Sequence, residues 1–282
     1  MPGGKARRAW RIGSGALLVA AAVAFAPDPA QADDLPAVSG LNGKVDLSGA
    51  SLDGEDFNAA SGSVAVPVGR AFGLQADGMV GDYSAVNVWA VGGHAFWRDP
   101  GLGLAGLVGS VTDVGTTKIY RYGIEGEYYL DRVTIAGTAG YQSGDSLHAG
   151  WGGLDLRYYP ADNLLLEAGA GAISNERTGH VGAEWQAPFG LSTGFSLFAD
   201  AAMGTSDYEH VIGGIRIYFG GGDKPLLRRH REDDPINLLV GGLTSAVSGA
   251  VSSTSTKADT NGGASVGGSG CSAPLGFAER DT

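Results

Sequence analysis

The sequence predicts an all-β chain: a transmembrane, antiparallel, up-and-down β-barrel of about 12 strands with a disordered C-terminal tail. Three observations predict it. The first is the stretch Thr117 to Gln142, TKIYRYGIEGEYYLDRVTIAGTAGYQ. Tyr120, Tyr122, Ile124, Tyr128 and Leu130 share one parity, with Gly126 among them, while Arg121, Glu125 and Glu127 share the other. After a turn at Leu130-Asp131-Arg132, the residues Val133, Ile135, Ala139 and Tyr141 alternate with Thr134, Thr138 and Gln142. Long strands, apolar on one face and polar on the other with aromatics near their ends, are what a barrel wall in lipid requires. The second observation is an export signal with no later apolar run long enough to span as a helix. An exported chain of that kind is integral to a membrane only as a closed barrel, because every backbone polar group in lipid needs an internal partner. The third is an even count of strand-like segments whose connectors keep a constant phase.

Taken in order, the chain begins with Lys5, Arg7, Arg8 and Arg11 ahead of an apolar segment, Ala16 to Ala26, and a small-x-small site at Ala30-Gln31-Ala32. This reads as a signal peptide over 1–32, with the general secretory route preferred to a twin-arginine route that exports folded cargo. Without residues 1–32, which hold four basic residues and Asp28, the chain keeps 15 basic and 29 acidic residues, a formal charge of −14. Residues 33–39 form a polar lead-in, and residues 40–219 form the outer-membrane barrel. Candidate strands fall at 40–50, 61–68, 71–81, 85–98, 101–111, 117–130, 132–142, 147–159, 163–173, 178–187, 193–203 and 208–219. One set of connectors is tight: Gly69-Arg70, Asp99-Pro100, Asp131, Pro160 to Asp162 and Pro188 to Gly190. The other is more polar, with Ser51 to Ala60 the longest and acidic at Asp53, Glu55 and Asp56. Tight turns belong in the periplasm and longer loops outside, which puts both ends of the barrel chain in the periplasm. Residues 220–282 are Ser/Gly/Thr-rich beyond a charge cluster, RRHREDD, and read as a low-complexity periplasmic tail. Within it Ile236 to Val240 is the one stretch suited to a brief helical turn or a plug.

Composition narrows the function. Gly makes up 49 of 282 residues without a collagen period, which suits curved barrel walls and small interior positions. No basic patch marks a nucleic-acid interface. One cysteine, Cys271, excludes an intramolecular disulfide and a Cys-rich metal cluster. Parity places Asp77, Arg121, Glu125, Glu127, Asp155, Arg157, Glu167, Glu184, Asp200 and Arg216 on the lumen face, together with Lys44, Asp46, Gln75, His180 and His210. The acidic side chains suit either a cation-favouring pore lining or an ion-pair network that fills the interior. Trp89, Trp97, Tyr120, Tyr128, Tyr141, Tyr158, Tyr159, Trp185, Tyr208, Tyr218 and Phe219 sit near strand ends, where interfacial girdles belong. His148, His180 and His210 start every second strand at the outer rim, near Ser143, Ser146 and Ser206. Strands about 4.8 Å apart leave these histidines roughly 10 Å from one another. That is too far to share a metal, so solvated rim residues are expected and a rim hydrolase is the enzymatic alternative. Gly101 to Gly106 matches the dinucleotide-binding glycine pattern, but it continues as a strand rather than a helix. No catalytic residue, metal site or cofactor is expected.

The segments GHAFWRDPGLGL (Gly93 to Leu104) and LLRRHREDDP (Leu226 to Pro235) resemble a porin-like family of outer-membrane β-barrel proteins of α-proteobacteria. The resemblance covers roughly residues 40–235. It implies a barrel, an outer-membrane location and a periplasmic tail after the last strand, and it carries no assigned catalytic residues. The expected function is a porin-like passive channel or a structural envelope protein, without catalysis. Besides the rim hydrolase, the remaining alternative is a barrel anchor whose tail binds a periplasmic partner. Outer-membrane lipid and the barrel-assembly machinery are the expected partners.

Overall fold

The computed structural model describes residues 35–239, apart from 116, 145–147, 190–192, 206, 207, 234 and 236. The signal segment and residues 240–282, with Cys271, lie outside the described residues. Twelve strands run β1 (Asn42–Leu52), β2 (Glu55–Val68), β3 (Phe72–Tyr83), β4 (Val86–Asp99), β5 (Gly103–Val114), β6 (Thr117–Leu130), β7 (Val133–Ser143), β8 (Ala149–Ala161), β9 (Leu164–Ile173), β10 (Glu176–Gln186), β11 (Gly194–Gly204) and β12 (Glu209–Phe219). Each pairs antiparallel with its sequence neighbours, and β1 pairs with β12 from Gly43↔Phe219 to Leu52↔His210. The sheet is therefore a closed barrel with no free edge.

The polarity of the wall is inverted relative to a soluble sheet. Val45, Leu47, Val64, Val80, Val91, Leu107, Ile124, Leu154, Leu156, Val181 and Val211 are exposed on its outer face. Lys44, Asp46, Gln75, Asp77, His94, Arg98, Arg157 and Glu184 are buried on its inner face. That arrangement is stable only where lipid meets the outside. Tyr120, Tyr122 and Tyr141 are exposed toward one rim, and Tyr128, Tyr158, Trp185 and Phe219 toward the other, as girdles require. Three expected girdle residues are not there: Tyr159, Tyr208 and Tyr218 are buried. Tyr159 follows Tyr158 and Tyr218 precedes Phe219, and neighbouring strand residues point to opposite faces.

Two loop expectations fail. Ser51 to Ala60 is not a loop: β1 and β2 are joined by Asp53 and Gly54 alone, with φ of 53° and 79°. Two successive positive φ values make the tight turn that Asp-Gly favours in hairpins. Phe57 and Ala59 then point inward and fix the register of β2, while the acidic residues around them are carried on a rim. Connector lengths also fail to distinguish the two ends. Residues 84–85 and 174–175 at one rim are as short as 131–132 and 162–163 at the other.

The first twenty residues of the stretch read as a tail fold back into the barrel. Leu226–Glu232 forms helix α1. At seven residues it is too short to persist alone. Packing holds it across the rim where β1 begins and β12 ends. Leu226 is fully buried with Tyr159, Leu165 and Tyr218. Its amide donates to Asn163 Oδ1, and the Leu227 amide donates to Asp162 O. Arg229, 1 % exposed, donates to the carbonyls of Gly220, Gly222 and Lys224. Arg231 donates to the carbonyls of Leu130 and Val133 in the β6–β7 hairpin. From there the chain enters the interior. Arg98 donates to Asp233 O, Lys44 Nζ to Pro235 O, and Asn237 Nδ2 to Ser63 Oγ. Leu239 is buried with Leu52, Phe57, Ala59, Met79, Val88, Ala90, Tyr208 and Ile212. The plug reading of this stretch thus describes residues up to 239. The sequence hid it because α1 is mostly charged, and the partners that anchor it to the barrel, Leu130 and Val133 for Arg231 and Tyr159 and Tyr218 for His230, are invisible in a local window.

Candidate functional site: the barrel interior

Four side-chain clusters occupy the interior, and each joins neighbouring strands through one parity. Nearest the α1 rim, Arg216 on β12 donates from Nε to Asp46 Oδ1 at 2.7 Å and from Nη1 to Glu184 Oε2 at 2.5 Å. Tyr218 donates to the other Glu184 oxygen at 2.8 Å. Beside it, Arg157 on β8 bridges Glu127 Oε1 and Glu167 Oε2, each at 2.6 Å. Tyr129 donates to the second oxygen of Glu127. These bonds are charge-assisted and enclosed, so they brace the wall against the cost of burying its charges.

The third cluster centres on His94 of β4. Its Nε2 lies 2.9 Å from Asp77 Oδ2, and its Nδ1 lies 2.9 Å from Glu125 Oε1. The fourth centres on His180 of β10. Its Nε2 is 2.9 Å from Asp155 Oδ1, and its Nδ1 is 2.9 Å from Asp200 Oδ2. His210 Nε2 holds the other Asp200 oxygen at 2.8 Å, and Tyr208 bonds His210 Nδ1 at 2.9 Å. The expectation of solvated rim histidines is thus corrected for two of the three. His180 and His210 belong to one interior network because Asp200, on the strand between them, reaches both. His148 is exposed outside it. Ser146 and Ser206 lie outside the described residues.

Arg121 stands apart from the other nine predicted lumen-lining side chains in its partners. It donates to Gln142 Oε1 at 2.8 Å and lies 5.2 Å from the Trp151 ring centre. Sequence reasoning missed His94, Arg98, Trp151 and His230 as interior groups. His94 and Arg98 share parity with Ala90 and Phe96, which was the usable signal. His230 had none: it sits between Tyr159 and Tyr218 hydroxyls, at 2.9 and 3.1 Å, only because α1 docks there.

A cavity of about 350 Å³ remains between these clusters. Asp155, Glu167, His180, Asp200, Arg121 and Trp151 are on its wall, with residues 237–239 on one side.

Neither a protein-family model nor a curated protein sequence matches the chain. Solved structures do match it. The KdgM porin in complex with disordered oligogalacturonate aligns at a TM-score of 0.50 and 9 % identity, over 63 % of this chain and 98 % of that one. A membrane protein from work on in-meso crystallization aligns at 0.50 and 13 %, over 68 % and 91 %. An outer membrane channel from Pseudomonas putida F1 aligns at 0.49 and 9 %, over 68 % and 99 %. The fold is that of an outer-membrane channel-like barrel. At these identities the likeness concerns the fold alone. The described residues contain no helix long and apolar enough to cross a membrane.

Proposed function

We propose that the protein is a passive outer-membrane channel for small cations, occluded by its own residues 220–239, which enter from the periplasmic α1 rim. The observation that carries this reading is the acidic cavity beneath a plug that the barrel does not need. The wall closes through β1 and β12 without it, and the plug is held by side chains rather than by strand pairing. Asp46, Asp77, Glu125, Glu127, Asp155, Glu167, Glu184 and Asp200 outnumber Lys44, Arg98, Arg121, Arg157 and Arg216 along the interior, a modest excess that favours cations. The signal peptide at 1–32 and the α-proteobacterial family suggested by Gly93 to Leu104 and Leu226 to Pro235 belong to the same proposal. So does the placing of the α1 rim in the periplasm.

Planar-bilayer recordings test it. The full chain is expected to give small, brief openings. A chain ending at Gly221 is expected to give larger, steady, cation-selective steps. Silence from both would sink the channel reading and leave a structural barrel.

A further inference from the structure

We propose that Asp155, Glu167 and His180 form a binding site for a first-row divalent transition-metal ion on the wall of the cavity. One ligand atom from each lies within 4.8 Å of the other two, the one such group among the described residues. The site is built into the register of the sheet. Asp155 on β8 and His180 on β10 both pair with Gly169 on β9, so the three positions form one row across the wall. A Cβ at Gly169 would run into Asp155 Oδ1 and His180 Nε2. The missing side chain is what lets these two atoms meet over the strand between them. Their 2.9 Å separation has to open by only about 0.5 Å to reach the spacing of neighbouring ligands on a tetrahedral ion, about 3.4 Å for bonds of about 2.1 Å.

The surroundings hold the ligands in place. His180 Nδ1 donates to Asp200 Oδ2, the carboxylate–imidazole arrangement that directs Nε2 toward a metal. Asp200 is fixed in turn by His210, and His210 by Tyr208. Arg157 Nε holds Glu167 through Oε2. The His180 and Asp155 side chains are each 23 % exposed to the cavity, so an ion has a way in. One imidazole nitrogen with carboxylate oxygens suits Zn²⁺ or Mn²⁺ better than the all-oxygen sites of Ca²⁺ and Mg²⁺ or the sulfur sites of Cu⁺. Without the ion, both nitrogens of His180 donate to carboxylates, which only accept. On binding, the Nε2–H bond breaks, the metal–Nε2 bond forms, and the proton leaves to solvent.

Isothermal titration of the full-length, detergent-folded protein with ZnCl₂ tests the site. One saturable site per chain is expected, with about one proton released at neutral pH, read from buffers of different ionisation enthalpy. Asp155→Asn and His180→Ala are each expected to weaken binding at least about tenfold. His148→Ala, at an exposed imidazole, leaves it unchanged. Folding of each variant is read from the heat-dependent shift in gel mobility. If His180→Ala does not fold, the isosteric Asp155→Asn decides. Absence of saturable binding, binding untouched by Asp155→Asn, or binding lost in His148→Ala would overturn the proposal. The titration does not depend on ion flow. A silent barrel that binds Zn²⁺ therefore defeats only the channel reading, and a conducting barrel that does not bind defeats only this one.

Discussion

Two histidines in this barrel stand between two carboxylates each, and they differ in what covers them. His94 lies between Asp77 and Glu125, and its side chain is 2 % exposed. His180 lies between Asp155 and Asp200, and its side chain is 23 % exposed. The distances are the same in both. Residues 233, 235 and 237–239 run along the β1–β4 wall that carries His94, reaching Lys44, Ser63, Ala90 and Arg98, and a Cβ on Gly92 would lie 3.0 Å from Leu239. Among the described residues no such strap crosses the β8–β11 wall, which borders the cavity. One motif thus serves two purposes: sealed, it locks strands together; open, it offers ligands.

The sharpest way to break this comparison is to remove the imidazoles. His94→Ala leaves Asp77 and Glu125 buried without their cation and is expected to cost about 3 kcal/mol or more. His180→Ala leaves carboxylates that water reaches and is expected to cost about 1 kcal/mol. Urea unfolding in detergent, followed by gel mobility, measures both; equal losses would erase the distinction.

The glycines behind the two clusters give a smaller contrast. A Cβ on Gly106 would lie 2.8 Å from Glu125 Oε1 and from Phe96 Cβ. Gly106→Ala is therefore expected to lower stability by about 1–3 kcal/mol, the range for overpacking a tight interior. Gly169→Ala pushes Asp155 and His180 into open cavity. It should leave the unfolding midpoint nearly unchanged while lowering Zn²⁺ affinity about tenfold.

Acid gives the smallest effect and would make the two sites more alike. Burial acts to raise the Glu232 carboxyl, but hydrogen bonds from Arg228 and Lys224 outweigh it and hold the group below its ordinary range. Such a carboxylate stabilises α1 fully above its unfolded pKa, about 4.3, and the benefit is lost as pH falls through its depressed folded value. Below about pH 4, then, α1 should loosen and the strap with it. Hydrogen exchange at Arg228 to Asp233 should speed up, and speed up less in Glu232→Gln, whose contribution no longer titrates.

The wall was legible in the sequence, and its contents only partly. Alternation such as Tyr120, Tyr122, Ile124 against Arg121, Glu125 is a local property, so twelve strands could be read off. Asp53-Gly54 was a local signal overridden by the acidity around it. Partners across strands are not local. That Asp200 joins His180 to His210, or that Gly169 lets Asp155 reach His180, depends on register, which alternation alone does not number. The RRHREDD cluster failed differently. A run of charges usually faces water, and here Arg229 and Asp233 are buried because backbone carbonyls, Lys224 and Ser39 meet them.

The returning segment also sets an order of assembly. Its seats are Asn163 and Asp162 between β8 and β9, Leu130 and Val133 in the β6–β7 hairpin, Lys44 on β1 and Arg98 on β4. These come within reach of one short stretch only after the sheet has curled shut. The stretch follows β12 directly, so it is also the last part of the described chain to be made. Docking of α1 would then depend on the wall having closed in register. A wall closed one register out would misplace the seats, and the segment would stay outside.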